Sequence, residues 1–298
     1  MYDTPWAILE SELTVLAARA ALMFGDDQSP VAALPRGPRS AGGAVAVLPL
    51  YGVTSHRASM QSLLAGGTSI EGFTAQFRAA IGDPAVKAVV LDVNSPGGSV
   101  FGVQELAAEI LASRGRKPII AVANSMMASA AYWVASAADD ITVTPSGEVG
   151  SIGVYALHLN ESAALDAAGI SPTLISAGRY KTEGNPFEPL NADARAAMQS
   201  RVDEYYGMFV AAVAQGRGTT PAEVRSGFGQ GRVVGAREAV RLGMADRVGT
   251  LDATLARLGV SVPAGMLAQD ATEAGSDIVS SVYDREVREL RARLLERI

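Results

Sequence analysis

The stretch NSMMASAAYWVAS, residues 124 to 136, sets Ser129 among alanines ahead of an aromatic pair. A serine hydroxyl attacks an acyl carbon only when a base takes its proton. The chain has no cysteine, which removes thiol nucleophiles, thiolate metal sites and disulfides together. Its two histidines are His56, in a polar loop, and His158, in YALHLN, and no Asp or Glu position marks a triad with either. A lysine is then the remaining conventional base, as in Ser-Lys variants of acyl transfer. Lys87 and Lys117 precede apolar runs and read as strand-entry residues. Lys181 differs, because it lies in SAGRYKTEGNPFEPL, a Gly- and Pro-marked segment of the kind in which functional loops occur. Read singly, Ser129 is first a packing serine that bonds back to a helix carbonyl, and Lys181 first a solvated loop lysine.

A second candidate is VVLDVNSPGGSV, residues 89 to 100, where an apolar strand ends in a proline and two glycines before a helix. Gly97 and Gly98 carry no side chain to shield their backbone N–H groups, and a helix N-terminus follows. Such a loop can cradle a phosphate or an oxyanion. It fits neither the GxGxxG nor the GxxxxGK[ST] spacing, so a plain strand-to-helix turn is an equal reading.

The elements that must position these residues alternate. Apolar runs at 44–52, 86–93, 117–124 and 140–145 read as strands, and 74–83, 103–112 and 126–138 read as helices. Strands separated by helices of this length predict an α/β fold of parallel βαβ units with right-handed crossovers. The segment 191–215 opens with an Asn cap and reads as a long helix, and shorter helices are expected at 220–227 and 235–243. The 126–138 reading places Ser129 in the first turns of its helix, where the dipole favours a developing anion.

Three regions follow from composition: an N-terminal helix and linker over 1–43, a main domain over 44–259, and an acidic linker with a C-terminal amphipathic helix over 260–298. The apolar stretch 6–24 is interrupted by Glu10, Glu12 and Arg19, which disfavours a membrane span and favours a docking helix. Val279, Tyr283, Val287, Leu290, Leu294 and Ile298 form one stripe at helical spacing. With 48% hydrophobic residues the chain is globular, and a net charge of −6 offers no basic surface to nucleic acid or an anionic membrane.

NSPGGSV, MMASAAYWVASAADDITVTPSGEVGSIGV and SAGRYKTEGNPFEPL together resemble, in order and spacing, the SppA-type serine peptidases of family S49, within the ClpP/crotonase-like superfamily. The resemblance covers about residues 44 to 259 and implies a core of repeated ββα/βαβ units with flanking helices. It puts the nucleophile on Ser129, the general base on Lys181, a lysine-orienting serine on Ser151, and the oxyanion-binding loop on Gly97 and Gly98. It implies a serine endopeptidase acting on polypeptides through an acyl-enzyme, with no cofactor or metal. It also implies a homo-oligomeric ring in which serine and lysine meet across a subunit boundary. Where the family usually has glycines after the nucleophile, this chain has Ala130 and Ala131, which narrows the pocket. The opening PWAILESEL and the lack of an anchor resemble the phage branch, which processes scaffold and capsid proteins during head maturation; the expected location is then the host cytoplasm or procapsid. The alternatives are a soluble bacterial peptidase that degrades peptide fragments and an idle structural procapsid component.

Overall fold

The computed structural model describes residues 6–8, 39–41, 44–58 and 66–260. Along the chain run β1 (Trp6–Ile8), β2 (Arg39–Ala41), β3 (Val45–Tyr51), β4 (Thr54–Ser55), β5 (Thr68–Ser69) and α1 (Ile70–Gly82). Next come β6 (Ala88–Ser95), β7 (Gly97–Ser99), α2 (Val103–Ala112), β8 (Ile119–Ala128), α3 (Ala130–Ala135), β9 (Asp140–Val143) and β10 (Glu148–Gly150). The remainder is α4 (Ser162–Ala167), α5 (Ala192–Arg217), α6 (Pro221–Gly227), β11 (Val233–Gly235), α7 (Ala236–Arg241), β12 (Arg247–Val248) and α8 (Leu251–Arg257).

The fold is α/β, a largely parallel mixed sheet with flanking helices. Its strand order is β11-β10-β8-β6-β3-β2, with the first half of β8 pairing β9 and its last residues pairing β10. Pairs β3–β6, β6–β8, β8–β9 and β8–β10 are parallel, whereas the edges β2 and β11 pair antiparallel. A second, smaller sheet has the order β1-β7-β4-β5.

Strand β6 explains why the sheet is covered on both sides. Val89, Leu91 and Val93 alternate with Ala88 and Val90 and are buried in two different clusters, one per face. The larger cluster gathers Phe73 and Phe77 of α1, Leu106 and Ile110 of α2, Trp133 of α3 and Phe209 of α5. On the other face Leu251 and Leu255 of α8 cover Val45, Val47, Val90, Ile120 and Val122. Helix α1 starts where Ser69 Oγ accepts from the Gly72 N–H, and it buries Ile70, Phe73, Phe77 and Ile81 along one stripe. The Asn191 side chain caps α5 in the same way, accepting from Ala194 N–H.

Three sequence expectations need correction. Strand β8 runs to Ala128, and the helix begins only at Ala130 rather than at 126. Residues 126–128 gain a parallel ladder with β10, and that pairing outweighs the helical preference of Met126, Met127 and Ala128. Residues 6–8, read as part of a helix, form β1, and 39–41, read as linker, form β2 against β3. The rest of 9–38 and the C-terminal stripe from Val279 to Ile298 lie outside the described residues.

Candidate active site

Ser129 is the single residue between β8 and α3, with φ 54° and ψ −121°. A positive φ costs a β-carbon-bearing residue on the order of 1–3 kcal/mol and persists only where the surroundings enforce it. Here the Ser129 N–H donates to Gly150 O at 2.7 Å, and the Trp133 N–H closes the first turn of α3 on Ser129 O at 2.9 Å. Every residue of α3 is buried, so the turn has no freedom to relax. Ala130 and Ala131 are fully enclosed, which spends their methyl groups on core packing. The Ser129 side chain is 1% exposed, and its Oγ has no hydrogen-bond partner. A serine held on a sharp strand-to-helix turn with a free hydroxyl is how acyl-transfer enzymes present a nucleophile.

The far end of α3 is anchored as firmly. The Arg114 guanidinium donates to Ala137 O at 2.9 Å, Ala138 O at 2.6 Å and Gly216 O at 2.8 Å. Ala137 O and Ala138 O follow the C-terminus of α3 and Gly216 O lies in the last turn of α5, so one cation serves the ends of two helices. Burial lowers the Arg114 pKa, opposed by the carboxylate of Asp139. Trp133 stacks on Phe209 at 4.6 Å between centroids, and Gly216 fits against Ser136 O so closely that a Cβ would lie 2.2 Å from it. The Tyr132 hydroxyl donates to Met244 O at 2.8 Å, and burial raises its pKa.

Register places the neighbours. Gly150 pairs with Ala128, so Ser151 is the next residue on β10's path as Ser129 is on β8's. Ser151 is buried and shares the positive φ of 54°. On the opposite side Ser95, the last residue of β6, pairs with Met127, and β7 begins two residues later at Gly97, in contact with the helix that follows Ser129. Gly97 has φ 98°, and its N–H donates to Ser95 Oγ at 3.2 Å. Gly98 is there because nothing larger fits: a Cβ would lie 2.0 Å from Thr54 O. Strand ends from β6, β8 and β10 thus converge at the carboxyl edge of a parallel sheet, where α/β proteins place their sites.

Lys181 is not part of this cluster within the chain. It is exposed, in a turn where its N–H donates to Gly178 O at 3.1 Å, and it makes no hydrogen bond to Ser129 Oγ. From 153 to 190 no residue is buried, and α4 is the one helix of that stretch. The stretch exposes Leu157, Leu159, Ile170, Leu174, Tyr180 and Phe187, with Ile175 97% exposed.

The other candidate bases have structural work. Lys117 Nζ donates to Ala80 O at 2.9 Å and Lys87 Nζ to Pro84 O at 3.0 Å, both around the end of α1. His158 Nε2 bonds Asn185 O at 3.0 Å, and neither histidine reaches Ser129 Oγ. Sequence reasoning missed Thr54, Arg114 and Ser95. Thr54 and Ser95 lie in short polar stretches with no periodic signal, and one arginine among many carries no mark of a helix clamp. Among the described residues no His, Asp and Glu cluster could hold a metal ion, and no helix is long and apolar enough to cross a membrane.

The chain is 36% identical over 243 residues to the capsid assembly protease C of Escherichia phage lambda, covering 81% of this chain and 54% of that protein. It is 39% identical over 170 residues to the head-tail preconnector protein GP5 of Enterobacteria phage P21, covering 57% of this chain and 34% of that one. Protease 4 of Salmonella typhi is 29% identical over 262 residues, 88% of this chain and 41% of its own length. The chain therefore spans about half or less of each of these relatives. The profile of peptidase family S49 matches residues 112–263, a run that holds Ser129, Ser151 and Lys181 and is just over half of the chain. On that match, the chain belongs to peptidase family S49.

Proposed function

We propose that the protein is a serine endopeptidase with a Ser129–Lys181 dyad, processing scaffold or capsid proteins during phage head maturation. The observation that carries the reading is Ser129 itself, strained and buried with an unpartnered hydroxyl, beside the end of β6 that leads into Gly97 on one side and the end of β10 that leads into Ser151 on the other. In this reading Ser129 Oγ attacks the scissile carbonyl carbon while the lysine amine takes its proton. The C–N bond then breaks as the ammonium returns a proton to the leaving amine. Water, deprotonated by the same amine, hydrolyses the acyl-enzyme. Backbone N–H groups at Gly97 and Gly98 stabilise the oxyanion, displacing the local bond from Gly97 to Ser95 Oγ.

A lysine serves as a base only where burial disfavours its ammonium form. In a single chain Lys181 is exposed. We therefore assign the base to a neighbouring copy, in a homo-oligomeric ring of the ClpP/crotonase-like type. The apolar residues exposed between 153 and 190 would be covered in that assembly. Ser151 would accept a hydrogen bond from the neutral lysine amine and orient its lone pair toward Ser129 Oγ. The phage setting rests on the names and extent of the two phage relatives.

The test is mass spectrometry of candidate head proteins incubated with wild type and with Ser129→Ala. Discrete new termini with wild type alone support the reading. Identical fragment patterns with both proteins, or none with either, would reject it.

A further inference from the structure

The small sheet holds a contact that the peptidase reading does not use. Strand β1 pairs antiparallel with β7, Trp6 opposite Ser99, Ala7 opposite Gly98 and Ile8 opposite Gly97. The other edge of β7 is taken by β4, with Thr54 opposite Gly98. Hence β1 covers the one edge of β7 through which an extended peptide could add to this sheet.

Polarity gives the contact meaning. The segment from Trp6 to Ile8 advances toward Gly97, the end of β7 that follows directly from β6, whose last residue Ser95 pairs with Met127 two residues before Ser129. A substrate must approach in the same sense, because the residues before the scissile bond lead its carbonyl carbon to the nucleophile. Gly97 and Gly98 put no side chain between β7 and its partner strand, so a backbone can lie flat on that edge.

We propose that Trp6–Ile8 is a built-in competitor, seated on the strand that would hold the acyl side of a polypeptide substrate, and that substrates bind only by displacing it. The proposal rests on the peptidase reading for its consequence, but the seating can be tested without turnover.

The experiment compares two proteins in the Ser129→Ala background, so that the segment cannot be cut: the full chain and a chain lacking residues 1–8. Hydrogen exchange of the 97–99 backbone is measured in both. Removing the segment should speed exchange there by about tenfold or more, since an unpaired strand edge opens at little cost. A synthetic peptide with the sequence of residues 1–10 should slow it again. Unchanged exchange on truncation, or failure of the peptide to restore protection, overturns the seating. If the truncated chain does not fold, Ala7→Pro in the full chain replaces it; proline removes the Ala7 N–H and disfavours pairing, with the same two outcomes.

With Ser129 intact, truncation should lower KM for a polypeptide substrate several-fold and leave kcat nearly unchanged. Equal KM values in two active proteins would overturn the competition even if the strand is seated. Absence of turnover in both would instead count against the peptidase reading, and the exchange result would still decide the seating.

Discussion

The strand-to-helix junction at Ser129 and the stretch from 153 to 190 are built on opposite principles. Around Ser129 every neighbour is buried and the backbone is held against its own preference by a 2.7 Å bond to Gly150 O. Between 153 and 190 no residue is buried, and the one helix has six residues. A single chain therefore holds Ser129 on a rigid, buried shelf and Lys181 on an exposed arm. In the proposed mechanism the difference has a use: the geometry that must be exact is assigned to the core, and the group that must be desolvated is left for another surface to bury.

The contrast can be broken first at the serine. Ser129→Ala should abolish peptide hydrolysis and leave thermal stability nearly unchanged, because a methyl at this position keeps the same strained φ. Ser129→Gly should be equally inactive yet more stable by about 1 kcal/mol, as glycine relieves the strain. Denaturant melts of the three proteins check the stability order. If Ser129→Gly is clearly less stable than wild type, the junction is not strained.

The arm should behave in reverse. Lys181→Ala and Lys181→Arg should both inactivate, since arginine remains protonated, with no fall in the melting temperature of the isolated chain. Activity surviving in Lys181→Arg would remove the lysine from the mechanism.

Stability effects should concentrate on the shelf. Arg114→Ala removes a half-buried donor from the carbonyls of Ala137, Ala138 and Gly216 and should cost about 1–3 kcal/mol, readable from denaturant midpoints. Gly98→Val drives a side chain into Thr54 O and should cost about 1–3 kcal/mol or more. Its loss of turnover would then report a displaced strand as much as a lost oxyanion donor.

The smallest effect lies outside both regions. Hydrogen bonds from Thr219, and then from Thr220, hold the Glu223 carboxyl down to about 2. Its folded pKa lies below the unfolded value, so the capping box at the start of α6 stabilises above about pH 4.3 and is lost as pH falls toward 2. Glu223→Gln should flatten a slight acid-side loss of stability in that window. An unchanged acid limb would show that the cap contributes nothing measurable.

Much of the α/β alternation was legible, because apolar runs such as 86–93 carry a period that burial on two faces imposes. The site was legible only in part. Ser129 stood out by its motif, but its position between strand and helix did not. The extension of β8 to Ala128 depends on a ladder with β10, whose paired residues lie 22 positions further on, which no local pattern of Met126 to Ala128 encodes. The same holds for Trp6 to Ile8, whose apolar spacing fits a helix but whose backbone finds a free edge at β7. Gly98 was legible as a glycine, whereas its reason, the carbonyl of Thr54, was not.

The central claim is that the serine of one copy works with the lysine of another. The direct measurement is the activity of an equimolar mixture of Ser129→Ala and Lys181→Ala proteins, after labelled protein has shown that subunits exchange. Each variant alone should be inactive. The account predicts that the mixture regains part of the wild-type rate, because some interfaces pair an intact Ser129 with an intact Lys181. A mixture that exchanges subunits and stays inactive would contradict it, placing both residues within one chain.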